Sequence, residues 1–172
     1  MTNGQTVEQR FERHKGPQPG LIGDVAALHG RYYATHWSFP TEFEAKVARE
    51  MGDMLQRFDP ARDLVASIAD GDRIQASVTL DGSDPDLSPG QGHLRWFIVD
   101  DALRGRGFGK RLLTEALAFA RATGLRSVYL TTFRGLDAAA SLYARAGFVV
   151  TDEREGRTWG RTVVEQRLEV TL

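Results

Sequence analysis

The sequence predicts an α/β fold of the α+β kind, a mixed and mostly antiparallel central sheet flanked by helices. Three observations carry that expectation. Stretches with apolar residues at every third or fourth position alternate with short runs of β-branched and aromatic residues, the pattern of helices interleaved with strands. Two strand-like segments flank Asp70-Gly71-Asp72, a strong hairpin signal that makes part of the sheet antiparallel. In the middle, His93 to Leu113 reads as a buried strand, a tight turn rich in Arg and Gly, and an amphipathic helix. The other elements are arranged around that unit.

Taken in order, Met1 to Thr6 is polar and expected to fray. A weakly patterned strand is expected over Val7 to Lys15, then the loop Gly16-Pro17-Gln18-Pro19-Gly20. Leu21 to Thr35 reads as a helix with Leu21, Val25, Leu28 and Tyr32 on one face. It ends at His36-Trp37-Ser38-Phe39-Pro40, because a proline cannot continue a helix. Thr41 is placed to cap a second helix, with Glu42 and Glu44 in the first turn, where the dipole favours acids. That helix would bury Phe43, Val47, Met51, Met54 or Leu55, and Phe58, and stop before Asp59-Pro60. Strands are expected over Leu64 to Ala69 and Ile74 to Leu80. In the second, Ile74, Ala76, Val78 and Leu80 alternate with Gln75, Ser77 and Thr79. Asp81 to Gly92 is acidic and rich in Gly and Pro, a loop.

In the central unit, Phe97, Ile98 and Val99 form an apolar run that stops at Asp100-Asp101. After the turn, Phe108, Leu112, Leu113, Ala116, Leu117 and Ala120 form one helical stripe, closed by Thr123-Gly124. Beyond it come a strand over Arg126 to Phe133 and an Ala-rich helix over Leu136 to Ala146, stopped by Gly147. Two strands, Phe148 to Thr151 and Thr162 to Leu172, follow around the turn Glu155-Gly156-Arg157. At 172 residues the chain is read as one domain, 1–172, long enough for a proper core.

Composition excludes several kinds of chemistry. Lys and Arg number 22 against 23 Asp and Glu, a formal charge of −1, so nothing suggests a chain saturated with nucleic acid. There is no cysteine, which removes disulfides, thiolate metal sites and a cysteine acyl-enzyme together. His14, His29, His36 and His93 are scattered, without metal-ligand spacing, so no metal is expected. The N-terminus lacks the apolar core of a signal peptide and no run approaches membrane-spanning length. The expected location is the cytoplasm, with no membrane partner; a homodimer is left open.

Between the central strand and helix lies Arg104-Gly105-Arg106-Gly107-Phe108-Gly109-Lys110-Arg111. Three alternate glycines let a ligand approach the backbone, and a helix N-terminus offers unpaired N–H groups and the positive end of a dipole. With four cations added, this is an anion site, most simply a diphosphate cradle. A Walker A loop would need Ser or Thr where Arg111 stands. The dinucleotide fingerprint would need Gly where Lys110 or Leu112 stands. What fits is Arg-x-x-Gly-x-Gly over Arg104, Gly107 and Gly109. Here the sequence resembles the GNAT N-acetyltransferase superfamily, whose acyl-CoA pyrophosphate loop has that form after its fourth strand.

A second motif in the right place supports the resemblance. Ala139 to Phe148, AASLYARAGF, looks like the superfamily's later helix ending in Leu-Tyr, then three residues and Gly-Phe. The order of elements also matches, over essentially the whole chain. One departure is Leu136, where many members carry Asn; Asp137 is the nearest stand-in. The stretches HWSFPTEFE and RWFIVDDALRGRGFGKRLL, with the turn Gly156-Arg157-Thr158-Trp159-Gly160, further resemble acetyltransferase domains fused behind MarR-type regulators. No such regulator domain is read in this chain.

The resemblance implies transfer of an acetyl group from acetyl-CoA, as cosubstrate, to a primary amine by direct attack in a ternary complex. Phe97, Ile98 and Val99 would pair through their backbone with the pantetheine arm. Gly105 to Lys110 would hold the pyrophosphate, and Arg104, Arg106, Lys110, Arg111 or Arg145 would meet the 3′-phosphate. Tyr143 is the candidate general acid toward the CoA sulfur. For the general base, His36, His93, Glu42, Glu44 and Glu165 all stay open. His36, Trp37, Glu42 and Glu44 form a candidate acceptor loop with His93 nearby, and Trp37, Phe39, Trp96 and Trp159 a candidate aromatic pocket. Two other classes are compatible with the residues, a non-catalytic acyl-CoA-binding sensor and a structural dimerisation domain.

Overall fold

The computed structural model describes residues 11–172. Seven strands form one sheet: β1 (Phe11–Lys15), β2 (Leu64–Asp70), β3 (Arg73–Asp81), β4 (Gln91–Val99), β5 (Ser127–Phe133), β6 (Val149–Gly156) and β7 (Val163–Thr171). Their order across the sheet is β1-β2-β3-β4-β5-β7-β6. Every neighbouring pair is antiparallel except β4 and β5, which run parallel. Four helices complete the fold: α1 (Leu21–Trp37), α2 (Thr41–Gln56), α3 (Phe108–Ala122) and α4 (Asp137–Arg145). The mixed, mostly antiparallel sheet flanked by helices is the one the sequence predicts. Val7 to Arg10 of the expected first strand, and the stretch Met1 to Thr6, lie outside the described residues.

The period-2 pattern of the strands gives the sheet two apolar faces. Ala66, Ile68, Val78, Leu80, Leu94, Val128 and Leu130 bury against α3 and Tyr143 of α4. Val65, Ala69, Ile74, Ile98 and Phe133 bury against α1 and α2. The stripe expected of α3 is buried throughout, with Leu112, Leu113, Ala116 and Ala120 at 2% exposure or less. Truncating Leu113 to Ala would therefore cost about 2–5 kcal/mol. That packing fixes α3, and with it the loop at its N-terminus, against β4.

Local readings differ from the structure at several places: α1 runs on to Trp37 rather than ending at Thr35, and α2 stops at Gln56, leaving Phe58 outside it and only partly buried. Thr41 does not cap α2; Pro40 holds the cap position with no side-chain bond, and Thr41 is the first helical residue. The buried face of α1 is Leu21, Val25, Ala26 and His29, while Leu28 and Tyr32 are only partly buried. The central strand starts at Gln91 rather than His93. The sixth strand runs on to Gly156, because Asp152 to Gly156 continue to pair with β7. It is an edge strand exposed along nearly its whole length, so no apolar alternation marked it.

Candidate active site

The site begins where the sheet opens. β4 pairs with β5 only at Gln91, Gly92 and His93, after which the two strands part. On its other edge β4 carries a bulge: Ser77 faces Ile98 and Thr79 faces Arg95, two steps along β3 against three along β4. Within the bulge Trp96 adopts φ +46°, a conformation that costs a bulky residue energy and persists only where neighbours fix it. Between the parted strands is a cleft of about 650 Å³, lined by Leu94 to Val99 on one side and Leu130 to Phe133 on the other. It reaches both layers of helices: Tyr33, Phe43 and Val47 line it from α1 and α2, and Gly109, Leu142 and Tyr143 from α3 and α4.

At one end the cleft meets the N-terminus of α3. Gly107 caps that helix at φ +80°, no side chain caps it, and its first turn holds no acid. The first backbone N–H groups are thus left for an outside acceptor, at the positive end of the dipole. A turn of 3-10 helix, Asp101–Leu103, leads in, begun by Asp100, whose carboxylate accepts the Ala102 N–H at 2.8 Å. Arg104, though exposed, is tied down by three contacts. It donates to the Val99 carbonyl at 3.2 Å, pairs with Asp101 at 2.9 Å and stacks on Tyr32 at 4.2 Å. It ties the loop to β4 and α1. Lys110 and Arg145 line the cleft, along with Gly105, Gly107 and Gly109; Arg106 and Arg111 do not. Phe108 buries its ring in the core at 5% exposure, so it offers an anion only its backbone.

Tyr143 enters from α4 at 7% exposure. Its ring lies 6.1 Å from Phe97 and 5.7 Å from Phe148. Burial, and to a lesser degree Tyr33, push its pKa well up, so the phenol keeps its proton at neutral pH. No described residue hydrogen-bonds the phenol, which leaves it free to donate into the cleft.

Toward α1 and α2 the cleft is aromatic. Tyr33, Trp37, Phe39, Phe43, Trp96, Phe133 and Trp159 all line it. His29 lies among them at 5% exposure and donates Nδ1–H to the Val25 carbonyl at 2.9 Å. Burial lowers its pKa to about 4, so the ring is neutral and Nε2 is an acceptor. His93 stacks on Tyr129 at 4.2 Å and places Nδ1 3.5 Å from an Asp84 oxygen. Burial first, then Arg95, lowers its pKa to about 4 as well. The polar edge is a chain of ion pairs: Glu50 accepts from Lys46 and from Arg95 at 2.9 Å, and Arg95 also meets Asp81 at 3.4 Å. Arg57 forks onto Asp81 at 2.8 and 2.6 Å, a charge-assisted pair that anchors the end of α2 to β3.

The structure brings together Tyr143, the loop glycines, the β4 residues Phe97, Ile98 and Val99, and Trp37, Phe39, His93, Trp96 and Trp159 around one cleft. It does not bring His36, Glu42 or Glu44 there. His36 is exposed and lies 3.8 Å from Asp101. Glu42 and Glu44 are exposed on α2, and the Glu44 side chain packs against Gly30 of α1. Glu165 accepts the Thr158 N–H at 2.7 Å, outside the cleft lining. Sequence reasoning missed His29, Tyr33, Lys46, Glu50 and Arg95. The one available signal was spacing: His29 and Tyr33 follow Val25 at successive intervals of four.

Comparison with known proteins agrees with this geometry. Residues 29–148 match the family model described as Acetyltransferase (GNAT) family. A segment of 75 residues is 42% identical to mouse N-alpha-acetyltransferase 80, covering 44% of this chain and 21% of that protein. The chain thus matches only about a fifth of that relative's length. Among solved structures, ribosomal-protein-alanine N-acetyltransferase from Brucella melitensis superposes with a TM-score of 0.73 at 15% identity, over 94% of this chain and 99% of that one. A GNAT acetyltransferase from Streptococcus pneumoniae gives 0.69 at 17% identity, over 94% and 99%. At such identities the structures speak for the fold alone, and the family model carries the assignment. With the parted strands, the uncapped helix and the matching model over most of its length, this chain belongs to the GNAT acetyltransferase family.

Proposed function

We propose that this protein is an N-acetyltransferase that moves an acetyl group from acetyl-CoA to a primary amine by direct attack in a ternary complex. The observation that carries this reading is the meeting of the parted β4–β5 edge with the uncapped N-terminus of α3. The open edge suits an extended amide-bearing arm, and the helix end suits a diphosphate. Acetyl-CoA would supply an acetyl group activated as a thioester. Phe97, Ile98 and Val99 would hold its arm through their backbone. Gly105 to Lys110 would hold its diphosphate through N–H groups, with Lys110, Arg145, Arg106 and Arg111 as candidates for the 3′-phosphate. Arg104 would position the loop rather than grip the ligand. Tyr143 would give its phenol proton to the departing sulfur. The aromatic end of the cleft, with Trp37 and His93, would receive the acceptor.

The same proposal takes residues 1–172 as one catalytic domain acting in the cytoplasm, without metal, nucleic acid or membrane. It keeps the likeness to acetyltransferase domains fused to MarR-type regulators as a reading of the sequence. Among the described residues no helix is long and apolar enough to cross a membrane, and no acidic, His or Cys cluster is arranged to hold a metal.

The test is release of free CoA thiol from acetyl-CoA across a panel of amines, amino acids and short peptides. The chain has no cysteine, so thiol reagents report only the product. Thiol release that depends on an amine, with the acetylated amine seen by mass spectrometry, supports the proposal. Saturable acetyl-CoA binding without acetylation of any amine would leave an acyl-CoA-binding module instead.

A further inference from the structure

The acceptor end of the cleft is walled by rings that already support one another. Tyr33 lies 5.4 Å from Phe39 and 5.2 Å from Phe43, and Phe39 lies 5.3 Å from Phe133. Trp37 and Trp159 each pack on Phe133, at 4.8 and 5.6 Å. Trp96 faces them from the bulge of β4. The sequence holds three tryptophans, and all three line this cleft. Rings packed in stacked, tilted and edge-to-face pairs present both edges and faces to a further ring entering between them.

The carboxylate on the polar edge of this cleft is already paired. Among the described residues, Glu50 and Asp137 are the acids that line the cleft. Glu50 takes both Lys46 and Arg95, while Asp137 stands exposed in the first turn of α4, where the dipole favours it. A second ammonium held against the aromatic wall would find Glu50 already paired. Resting on the transferase reading, we infer that the acceptor is a monoamine borne on an aromatic ring, and that diamines and polyamines are poor acceptors. The apolar wall also disfavours the ammonium form of the bound amine, which helps it lose a proton. The proton leaves to solvent as the amine enters, and His29, whose Nδ1–H is committed to Val25, has Nε2 left to accept a hydrogen bond from the neutral amine. The ring chemistry has two sources, a free arylalkylamine or the N-terminal aromatic residue of a peptide.

The three tryptophans make binding visible without turnover. The protein, saturated with CoA, is titrated with phenethylamine, the peptide Phe-Gly-Gly, n-butylamine, putrescine and spermidine, following tryptophan emission. Phenethylamine or Phe-Gly-Gly should bind at least ten-fold tighter than n-butylamine and putrescine. Whichever of the two is tighter identifies the source. In Trp159→Ala, and in the milder Trp159→Leu should the first not fold, that preference should shrink several-fold. Equal or tighter binding of putrescine or spermidine overturns the inference, as does an unchanged preference in the Trp159 variants or no response to either aromatic amine. Thiol release from acetyl-CoA, measured on the same amines, separates the two claims. Release without aromatic preference sinks only this inference, whereas aromatic preference without release sinks only the transferase reading.

Discussion

The ring of Phe97 on β4 and the phenol of Tyr143 on α4 lie 6.1 Å apart, centroid to centroid, tilted by 56°. The contact joins two elements that border the same cleft, and Phe148 also packs on the Tyr143 ring at 5.7 Å. Tyr143→Phe keeps these contacts and removes one hydroxyl. The expected result is a fall in kcat on the order of 10²-fold, the scale for a positioned acid, with acetyl-CoA affinity nearly unchanged. Equal kcat in the two proteins would return Tyr143 to packing alone.

Gly107 gives the second prediction. It holds φ +80° at the N-terminus of α3, in the left-handed region that disfavours any side chain. Nothing lies within 4 Å of a Cβ built there, so a substitution would meet strain but no clash. Asp at this point would set a negative charge beside the free N–H groups. Gly107→Asp should weaken acetyl-CoA binding at least ten-fold, about 1.4 kcal/mol. Calorimetry on the folded variant checks it, and unchanged affinity would remove the loop from the cofactor site.

How much of this was legible depended on whether the cause was local. The α3 stripe, its glycines and its arginines sit within twenty residues, so period and composition sufficed to read a helix opened by a Gly- and Arg-rich turn there. The bulge at Trp96 and the parting of β4 from β5 depend on strand register, which no single segment encodes. His29 reads as an ordinary polar residue until packing of α1 on α2 removes it from water. Glu42 and Glu44 stand apart from the cleft for the opposite reason. Two carboxylates beside an aromatic loop suggest a cation site, but the turn at Pro40 points Phe39 and Phe43 inward and leaves both acids outside.

Those acids give the third prediction. They stand in the first turn of α2, where negative charge stabilises a helix by about 0.3–1 kcal/mol each at an exposed position. Charge reversal to Lys at both should lower the melting temperature by a few degrees and leave acceptor KM and acetyl-CoA affinity as they were. A raised acceptor KM would put this loop back in the substrate site.

His29 gives a pH dependence with a definite sign. Its folded pKa of about 4 lies below the ordinary value of 6.5. Below pH 6.5 the unfolded chain takes up a proton that the folded chain refuses. The stabilisation is complete above pH 6.5, falls away as pH drops toward 4, and amounts to roughly 3 kcal/mol at most. His29→Asn keeps a donor for the Val25 carbonyl and removes the titration. Between pH 7 and pH 4.5 the wild type should lose more stability in denaturant melts than the variant does. Parallel losses would show that the ring is not held neutral.

The last prediction concerns the floor under the acceptor end. Gly135 follows β5 at φ +109°, and a Cβ there would come within 2.5 Å of the Trp37 ring. Trp37 cannot easily retreat: its ring lies 4.8 Å from Phe133, and its carbonyl accepts from Arg161 at 2.7 Å. Gly135→Ala therefore combines backbone strain with a displaced indole, and should cost about 1–3 kcal/mol. Because the displaced ring lines the end of the cleft proposed for the acceptor rather than the α3 loop, acceptor KM should rise while acetyl-CoA affinity holds. A double-mutant cycle isolates the contact. In a Trp37→Leu background the smaller side chain gives the new methyl room, so Gly135→Ala should cost clearly less there than in the wild type. Equal costs in both backgrounds would mean that backbone strain alone explains the loss and that Gly135 does not set the position of Trp37.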